Sequence, residues 1–409
     1  MKRWKLGVAS LASLLTLSTF GQVITNPIEV SAQDKVQIRF STWDSQSNLD
    51  QQQALVDAFN SSQDEIEVLL EGLGGDYDTR ITAGMGAGDA PDVMYMWNYP
   101  QYSGGLEQLD AYIEAEGEAY KDNFYETTWN YNSIDDTIYG IPVGFTTHAL
   151  YYNKDLFDAA GVEYPTNEWT WADVATASEQ IANLEGNVYG YIMPGKPDPY
   201  DFEMYLWSNG ATYSNEDGET DGSVNSPEAV EVLETFQQML VNGEATTSES
   251  WGTDEFESQT AAMVVSGAWD IGSFAEAGIN YGVAPIPGFN DKESVSVLSS
   301  SGLAISVDSE HKEEAWEFIK YWTNEEANLY RIEYELPVLK SVVESEGLED
   351  DEVRGVFYEM LERSEAYGPS SFVIENWSDF SEKLSYAFEL AFNPTTLSDP
   401  TEALNSVVE

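Results

Sequence analysis

Apolar and polar residues alternate in two short segments near the beginning of the chain, residues 36–40 and 66–70. A period of two predicts strands that bury one face. Between the two segments, Leu55, Ala58 and Phe59 recur at the spacing of one helix face. A strand, a helix and a second strand in succession predict an α/β architecture.

Two later helices have clear starting signals. Thr170 and Asp173 have the spacing of a capping box, in which a side chain of the first turn bonds back to the N-cap residue. Ser226 followed by Pro227 predicts an N-cap and the first helical residue. Apolar stripes predict further helices at 229–240, 315–322 and 377–391, and strands are predicted near 188–193, 261–265, 281–284 and 303–307.

The length and the charge of the chain narrow the possible functions. A chain of 409 residues exceeds one ordinary core, so two lobes are expected. With 17 Lys and Arg against 73 Asp and Glu, the formal net charge is −56, which repels phosphate backbones and excludes nucleic acid as a partner. We interpret the acidic excess as adaptation to a saline or alkaline medium. The alternative is an acidic surface without such a role.

The N-terminal segment predicts secretion. Residues 1–5 are basic, residues 6–20 are uncharged and mostly apolar, and Ala32 ends a short small-residue segment. This order is typical of a secretory signal peptide, which we place at residues 1–32. The chain has no cysteine, which excludes disulfides, thiolate metal sites and cysteine nucleophiles.

Residues that could support catalysis are scarce. His148 and His311 are the only histidines, which leaves little for a zinc site or a Ser–His pair. Residues 84–88 are glycine-rich but lack the spacing of a dinucleotide-binding loop. We therefore expect no catalytic residue, no metal and no cofactor. A glycoside hydrolase remains an alternative, because two carboxylates about 5–10 Å apart leave no trace in a sequence.

The acidic segment 217–228 nearly fits a twelve-residue calcium loop. It has acids at loop positions 1, 3 and 5, Gly222 at position 6 and Glu228 at position 12. However, Pro227 begins the next predicted helix, and no helix is evident directly before the segment. A turn that leads into a capped helix explains the same residues, so we expect a structural loop. Calcium binding is the alternative.

Aromatic residues give the positive signal for a ligand. The chain has 12 Trp and 24 Tyr. Sugars present apolar faces and a rim of hydroxyls, which flat aromatic rings and hydrogen-bonding Asp, Glu and Asn can bind. Trp316 and Trp322 lie on a regular helical stripe and are assigned to packing. Other tryptophans lie in polar, turn-like segments: Trp43, Trp97, Trp207, Trp251, Trp269 and Trp377.

Several sequence blocks occur in a fixed order along the chain. They are residues 40–45, 88–93, 139–143, 150–154, 261–269, 283–288 and 300–305. Their order and spacing resemble the family 1 extracellular solute-binding proteins of ABC importers. Members of this family from Gram-positive bacteria usually carry a lipid-anchored cysteine after the signal peptide. This chain has none, so a secreted protein without that anchor is expected.

The resemblance implies a periplasmic-binding-protein-like fold of type II, with two α/β lobes, a hinge and an interlobe cleft. The first lobe would comprise residues 33–143 and 290–336, and the second 144–289 and 337–409. In such folds the ligand binds between the lobes at the carboxyl ends of the strands. Carried over position by position, the resemblance implies these ligand-binding residues: Trp43, Asp44, Trp97, Asn98, Tyr200, Glu203, Trp207, Trp269, Asp270, Ser300 and Trp377.

The resemblance further implies a monomeric, extracellular or periplasmic protein that delivers its ligand to ABC permease subunits. A mono- or oligosaccharide is the expected ligand, because the matched blocks contain almost no Arg or Lys for an anion. A polyamine or a quaternary ammonium osmolyte is the alternative, since tryptophans and acids also bind cations. Ligand binding is expected to close the lobes by a hinge motion.

Overall fold

The structure is a computed structural model that describes residues 35–408, and the predicted signal peptide lies outside the described residues. The described chain forms two large sheets and a small hairpin. Its strands are β1 (Val36–Thr42), β2 (Ile66–Gly72), β3 (Val93–Met96), β4 (Ser133–Ile134), β5 (Thr137–Ile138), β6 (Ile141–Thr146), β7 (His148–Asn153), β8 (Tyr189–Pro194), β9 (Ala245–Ser248), β10 (Ala261–Gly267), β11 (Tyr281–Ala284), β12 (Ser299–Ile305) and β13 (Leu336–Pro337).

Helices cover both sheets. They are α1 (Gln46–Ser62), α2 (Tyr77–Ala87), α3 (Tyr99–Tyr102), α4 (Asp110–Glu116), α5 (Glu118–Asp122), α6 (Glu126–Tyr131), α7 (Lys154–Ala160), α8 (Trp171–Ile181), α9 (Pro199–Ser208), α10 (Pro227–Asn242), α11 (Thr253–Glu257), α12 (Asp270–Glu276), α13 (Lys312–Trp322), α14 (Glu325–Arg331), α15 (Lys340–Glu346), α16 (Arg354–Arg363), α17 (Trp377–Phe392) and α18 (Pro400–Val408). Among the helices of residues 35–408, none has both the length and the apolar character needed to cross a membrane.

The first sheet has the strand order β13-β6-β12-β3-β1-β2. Strand β1 is parallel to β2 and β3, and β12 is antiparallel to β3 and β6. Phe40 of β1 is fully buried, and its ring packs 5.1 Å from that of Phe318 and 4.9 Å from that of Trp322. Trp322 is therefore a core residue, which confirms its assignment to packing. Because of the strand directions, β1, β2, β3 and β6 all end at one edge of this sheet, where β12 begins.

The second sheet has the strand order β11-β7-β10-β8-β9. Strands β8, β9 and β10 are parallel, and β7 is antiparallel to β10 and β11. Its core centres on Trp171, whose ring lies 4.7 Å from that of Phe236 on α10. Strands β8 to β11 end at one edge of this sheet, and β7 begins there, with His148 paired to Gly267. The prediction of a two-lobed α/β fold is confirmed.

Local signals place the helix starts as expected. The carboxylate of Asp173 accepts hydrogen bonds from the backbone nitrogen of Thr170 at 2.8 Å and from its hydroxyl at 2.7 Å. Ser226 caps α10 by accepting a bond from the nitrogen of Ala229, and Pro227 is the first helical residue. Both predicted caps are confirmed.

One residue, Thr147, separates β6 of the first sheet from β7 of the second. Its hydroxyl donates to the carbonyl of Phe357, 2.8 Å away on α16. The backbone nitrogen of His148 donates to the hydroxyl of Ser296 at 2.7 Å, and the nitrogen of Ser296 donates to the hydroxyl of Ser364 at 2.9 Å. Three chain segments that pass between the lobes are thus hydrogen-bonded side by side.

These passages fall later in the chain than the predicted lobe boundaries at 143, 289 and 336. The first sheet keeps β6 as far as Thr146 and regains the chain only at Ser299. Helix α15 also stays with the first lobe, because the nitrogen of Lys340 donates to the carbonyl of Asn123 at 2.7 Å. At each of the three passages, the first lobe therefore extends to a different residue than the predicted boundary, because whole strands and one helix belong to it.

Gly190 provides a test of the packing between β8 and α8. A methyl group on its Cα would lie 2.2 Å from the Cα of Ser178, so Gly190→Ala would force the helix away from the sheet. We expect this variant to lower the free energy of unfolding by about 1–3 kcal/mol, measured by urea denaturation. Gly86→Ala in α2 is the control: nothing lies within 4 Å of its added methyl group, and alanine favours a helix. Equal losses in the two variants would contradict this packing.

Candidate functional site

The edge of the first sheet carries an aromatic cluster at the end of β1. Trp43 is half-buried, and its indole packs edge-on against the rings of Tyr77 at 5.5 Å and Tyr95 at 5.1 Å. The hydroxyl of Tyr77 donates to the carbonyl of Tyr95. The indole is therefore held in one orientation while part of its surface stays accessible.

Asp44 lies next to this indole and is held by three donors. Its carboxylate accepts hydrogen bonds from Thr42 at 3.0 Å, Gln52 at 2.6 Å and Asn48 at 3.3 Å. Negative charge on Asp44 also raises the pKa of Glu335 in the same lobe. The charge of Asp44 is therefore felt by the buried carboxyl of Glu335 behind this edge.

Glu335 itself belongs to a buried ion pair behind the edge. Its carboxylate lies 2.9 Å from Nε of Arg331, whose side chain is 1% exposed, and it accepts a bond from Ser301 at 3.1 Å. Burial raises the pKa of Glu335, and the charge of Arg331 opposes that rise. Gly144 makes room for this carboxylate, because an added methyl group there would lie 2.2 Å from Cγ of Glu335.

Trp97 and Asn98 follow the end of β3. Trp97 is 42% exposed, an unusual position for so large an apolar side chain. Asn98 accepts a bond from the nitrogen of Gln101 at 3.3 Å and so caps α3. The first edge thus presents an open indole between the end of β3 and the cap of α3.

The edge of the second sheet presents Trp269, which is 52% exposed. Its ring folds back over Gly267, where an added methyl group would lie 2.3 Å from the indole. The indole meets the imidazole of His148 edge-on at 5.3 Å. Glycine at 267 therefore lets the indole lie close against the strand end while about half of the residue stays exposed.

Asp270 follows Trp269 and begins α12. Its carboxylate accepts hydrogen bonds from Ser266 at 2.5 Å and Ser273 at 3.1 Å. Burial raises its pKa, and these hydroxyl donors oppose the rise. Asp270 therefore places a carboxylate at the start of α12, next in the chain to the indole of Trp269.

The structure adds two residues that sequence reasoning missed, His148 and Asp201. Nε2 of His148 lies 3.8 Å from Oδ1 of Asp201, whose side chain is 22% exposed. The carboxylate of Asp201 accepts no hydrogen bond from the described residues, and Nδ1 of His148 is buried without a partner among them. Burial lowers the pKa of His148 to about 4 and raises that of Asp201 to about 7. The signal available in the sequence was the position of His148 between two adjacent strands.

Three predicted ligand residues are instead buried within the protein. Ser300 is 1% exposed and bonds to the carbonyl of Gly144 at 3.1 Å. Trp207 is 5% exposed and packs 5.5 Å from the ring of Tyr367. Glu203 is fully buried. The structure therefore does not bring these side chains to the two edges.

Glu203 anchors the segment that precedes α17. Its carboxylate accepts bonds from the nitrogen of Ser370 at 2.9 Å and from the Ser370 hydroxyl, from Thr212 at 3.2 Å and from the nitrogen of Tyr213 at 3.3 Å. Burial nevertheless raises its pKa to about 7. These bonds hold the segments around Tyr213 and Ser370 against α9 within the second lobe.

Tyr200 and Trp377 are half-buried. The hydroxyl of Tyr200 donates to the carbonyl of Leu298 at 2.5 Å, so this side chain ties α9 to a passage between the lobes. Trp377 packs 6.2 Å from the ring of Tyr213 and 5.9 Å from that of Phe380. Of the predicted residues, Trp43, Asp44, Trp97, Asn98, Trp269 and Asp270 lie at the two edges, and Tyr200 lies beside the passage.

Residues 217–228 form a turn followed by the capped start of α10. The side chain of Asn215 accepts bonds from the nitrogens of Asp217 at 3.0 Å and Glu219 at 2.9 Å. Within residues 35–408, no group of three or more His, Asp or Glu side chains is placed to hold a metal ion. Hydrogen bonds within the turn and the cap account for its conformation.

Comparison with known proteins identifies the family. The model of the bacterial extracellular solute-binding proteins matches residues 45–329. The chain belongs to this family. A binding protein of Brucella abortus is 29% identical over 265 residues, which are 62% of each chain, so this chain aligns with less than two thirds of that relative's length.

Two further relatives have named ligands. The galactooligosaccharide-binding protein of Bacillus subtilis is 25% identical over 289 residues, 68% of this chain and 66% of its own. An ABC substrate-binding protein of Listeria monocytogenes, solved in complex with cycloalternan, superposes with a TM-score of 0.79 and 28% identity over 92% of this chain and 98% of its own. The predicted family resemblance is confirmed.

The buried carboxyl of Glu203 predicts a pH dependence of stability. Its folded-state pKa of about 7 lies above the ordinary value of 4.5. Its contribution to stability is therefore fully present below about pH 4.5 and is lost as the pH rises through 7. We expect Glu203 to contribute a fall in the free energy of unfolding on the order of 2–3 kcal/mol between pH 5 and pH 8.

Urea denaturation at several pH values measures this slope. Glu203→Gln should flatten it, because the amide does not titrate. Asp201 titrates in the same direction, so part of the slope should remain. An unaltered slope in Glu203→Gln would contradict the assignment.

Proposed function

We propose that this protein is the secreted substrate-binding component of an ABC importer and captures a mono- or oligosaccharide between its lobes. The observation that carries the proposal is the pair of open indoles, Trp97 and Trp269, at the two strand edges that Thr147 joins. Indoles bind the apolar faces of sugar rings. Asp44 follows Trp43 in the chain, and Asp270 follows Trp269. Their carboxylates supply hydrogen-bond acceptors for sugar hydroxyls.

Charge at these edges favours a neutral ligand over an anion. The carboxylates of Asp44, Asp201 and Asp270 lie at or next to the edges, and they would repel a phosphate or a carboxylate. Arg331, the cation behind the first edge, is 1% exposed and paired with Glu335. Because its side chain is buried, this guanidinium is not accessible to an anion between the lobes. The oligosaccharide ligands named for two relatives support the same choice.

A cationic ligand is the second candidate, supported by the same indoles and carboxylates. Tryptophan faces and nearby acids attract quaternary ammonium groups and polyamines. The two candidates differ in their dependence on salt. A sugar should bind equally at low and high ionic strength, whereas a cation should bind more weakly as salt screens the carboxylates.

Uptake requires the ligand to be returned unchanged, so we propose that the protein has no enzymatic activity. The proposal extends to a monomer that docks on membrane permease subunits, and to removal of residues 1–32 on secretion. No nucleic acid is a partner, since a net charge of −56 opposes it.

The binding experiment is calorimetric titration with galactotriose, maltotriose, arabinotriose, glycine betaine and spermidine. We expect one of the sugars to bind, with affinity independent of salt, and to be recovered intact after prolonged incubation. Binding of betaine or spermidine alone would favour the second candidate. Steady release of shorter sugars in proportion to protein would instead support a glycoside hydrolase.

Trp269→Ala tests the sugar-stacking site directly. Loss of an indole contact worth about 1–3 kcal/mol should weaken sugar binding by roughly 5- to 150-fold while the unfolding midpoint changes little. Tyr189→Ala is the matched control, because Tyr189 is 43% exposed at the opposite end of β8 in the same sheet. Its affinity should equal that of the wild type.

Trp377→Ala should behave differently, because that indole packs on aromatic neighbours. We expect it to lower the unfolding midpoint more than Trp269→Ala does. A collapse of stability in Trp269→Ala with unchanged affinity would overturn the stacking assignment.

A further inference from the structure

Beneath the open indole of Trp269 lies a pair of polar side chains with unused hydrogen-bonding capacity. The imidazole of His148 supports the indole at 5.3 Å, and its Nε2 lies 3.8 Å from the carboxylate of Asp201, beyond hydrogen-bond distance. The buried Nδ1 of His148 has no partner among the described residues. Polar groups this buried normally have partners.

Asp201 differs from the other carboxylates at the site. Asp44 and Asp270 accept bonds from neighbouring side chains, and Glu203 on the same helix accepts four bonds. Asp201 accepts none from the described residues, although its side chain is only 22% exposed. A partly exposed carboxylate without a donor among these residues is free to accept hydrogen bonds from a ligand.

We propose that Asp201 is a specificity-determining ligand residue, which accepts hydrogen bonds from two adjacent hydroxyls of the sugar ring stacked on Trp269, with His148 as the positioning residue of that indole. This inference rests on the proposed function and specifies its ligand as one with a vicinal diol next to the stacked face. Neighbouring oxygens of a carboxylate match the spacing of such a diol, and bonds to an ionised acceptor are the stronger kind.

The surroundings of Asp201 determine how its ionisation responds to the ligand. The groups that face it are Tyr200 and Tyr205 on its own helix, Asp198 at the N-cap of that helix, His148 on β7, Tyr131 on α6, and Tyr213. None of these is a permanent cation. Burial and the charge of Asp198 raise the pKa of Asp201 to about 7, and the pKa of His148 is lowered, so that the imidazole stays neutral in this range.

Binding should therefore be linked to a proton. Hydroxyl donors stabilise the ionised carboxylate, so the pKa of Asp201 falls in the complex and a proton is released on binding near pH 7. Affinity is then greatest above pH 7 and is lost as the pH falls through it. We expect binding to be about tenfold weaker at pH 6 than at pH 8, as one proton competes with the ligand.

The experiment uses whichever of galactotriose, maltotriose and arabinotriose binds the wild type, titrated at pH 6 and pH 8 in buffers of different ionisation enthalpy. Wild type should release close to one proton at pH 6 and almost none at pH 8. Asp201→Asn should bind at least tenfold more weakly at pH 8 and lose both the pH dependence and the proton release. Glu203→Gln is the matched control, because it removes a second carboxyl of raised pKa from the same helix but away from the edge, and it should keep wild-type affinity and pH dependence.

A second measurement needs no ligand. The chain has two histidines, so nitrogen NMR of labelled histidine resolves His148 once a His311→Gln variant has assigned the two sets of signals. The signals of His148 should shift near pH 7 as Asp201 ionises, and Asp201→Asn should abolish that shift. Sugar binding without pH dependence, or a His148 signal that ignores Asp201, overturns this inference alone. Failure of all three sugars to bind contradicts the proposed function, and the His148 titration still decides whether the pair is coupled.

Discussion

The single residue between β6 and β7 is the constraint on which the arrangement depends. Thr147 allows no slack, so the end of β6 in one sheet and the start of β7 in the other must adjoin. The carboxyl ends of parallel strands lie at one edge of a sheet, and in both sheets this edge faces the passage at Thr147. Residues that follow strands in one lobe are thereby brought next to their counterparts in the other.

The hydrogen bonds around Thr147 also indicate how the lobes can move. The bonds from Thr147 to Phe357 and from His148 to Ser296 join all three passages at one place. A narrow, bonded set of passages lets two rigid lobes rotate about it without repacking either core. Trp97 and Trp269 lie beyond it, where such a rotation changes the width of the space between the edges. A ligand that contacts both lobes can therefore favour the arrangement in which the lobes are closed.

Periodicity predicted the sheets and helix starts because each depends on neighbours in sequence. The alternation of 36–40 and the caps at Thr170 and Ser226 are local, and the structure has them as expected. Helix α9 shows where that reasoning fails. It is buried on nearly all sides, so Glu203 and Trp207, four residues apart on one face, pack inward, whereas Asp201 lies on a different face. The pairing of His148 with Asp201 joins residues far apart in the chain, which no local pattern records.

Hinge closure tests most directly the claim that the ligand bridges the two edges. Small-angle X-ray scattering of the protein with and without a saturating sugar, under conditions in which calorimetry shows full occupancy, measures the radius of gyration of both states. We expect the radius of gyration to fall on binding in the wild type. An unchanged scattering profile at full occupancy would place the ligand on one lobe and contradict a site formed between the two edges.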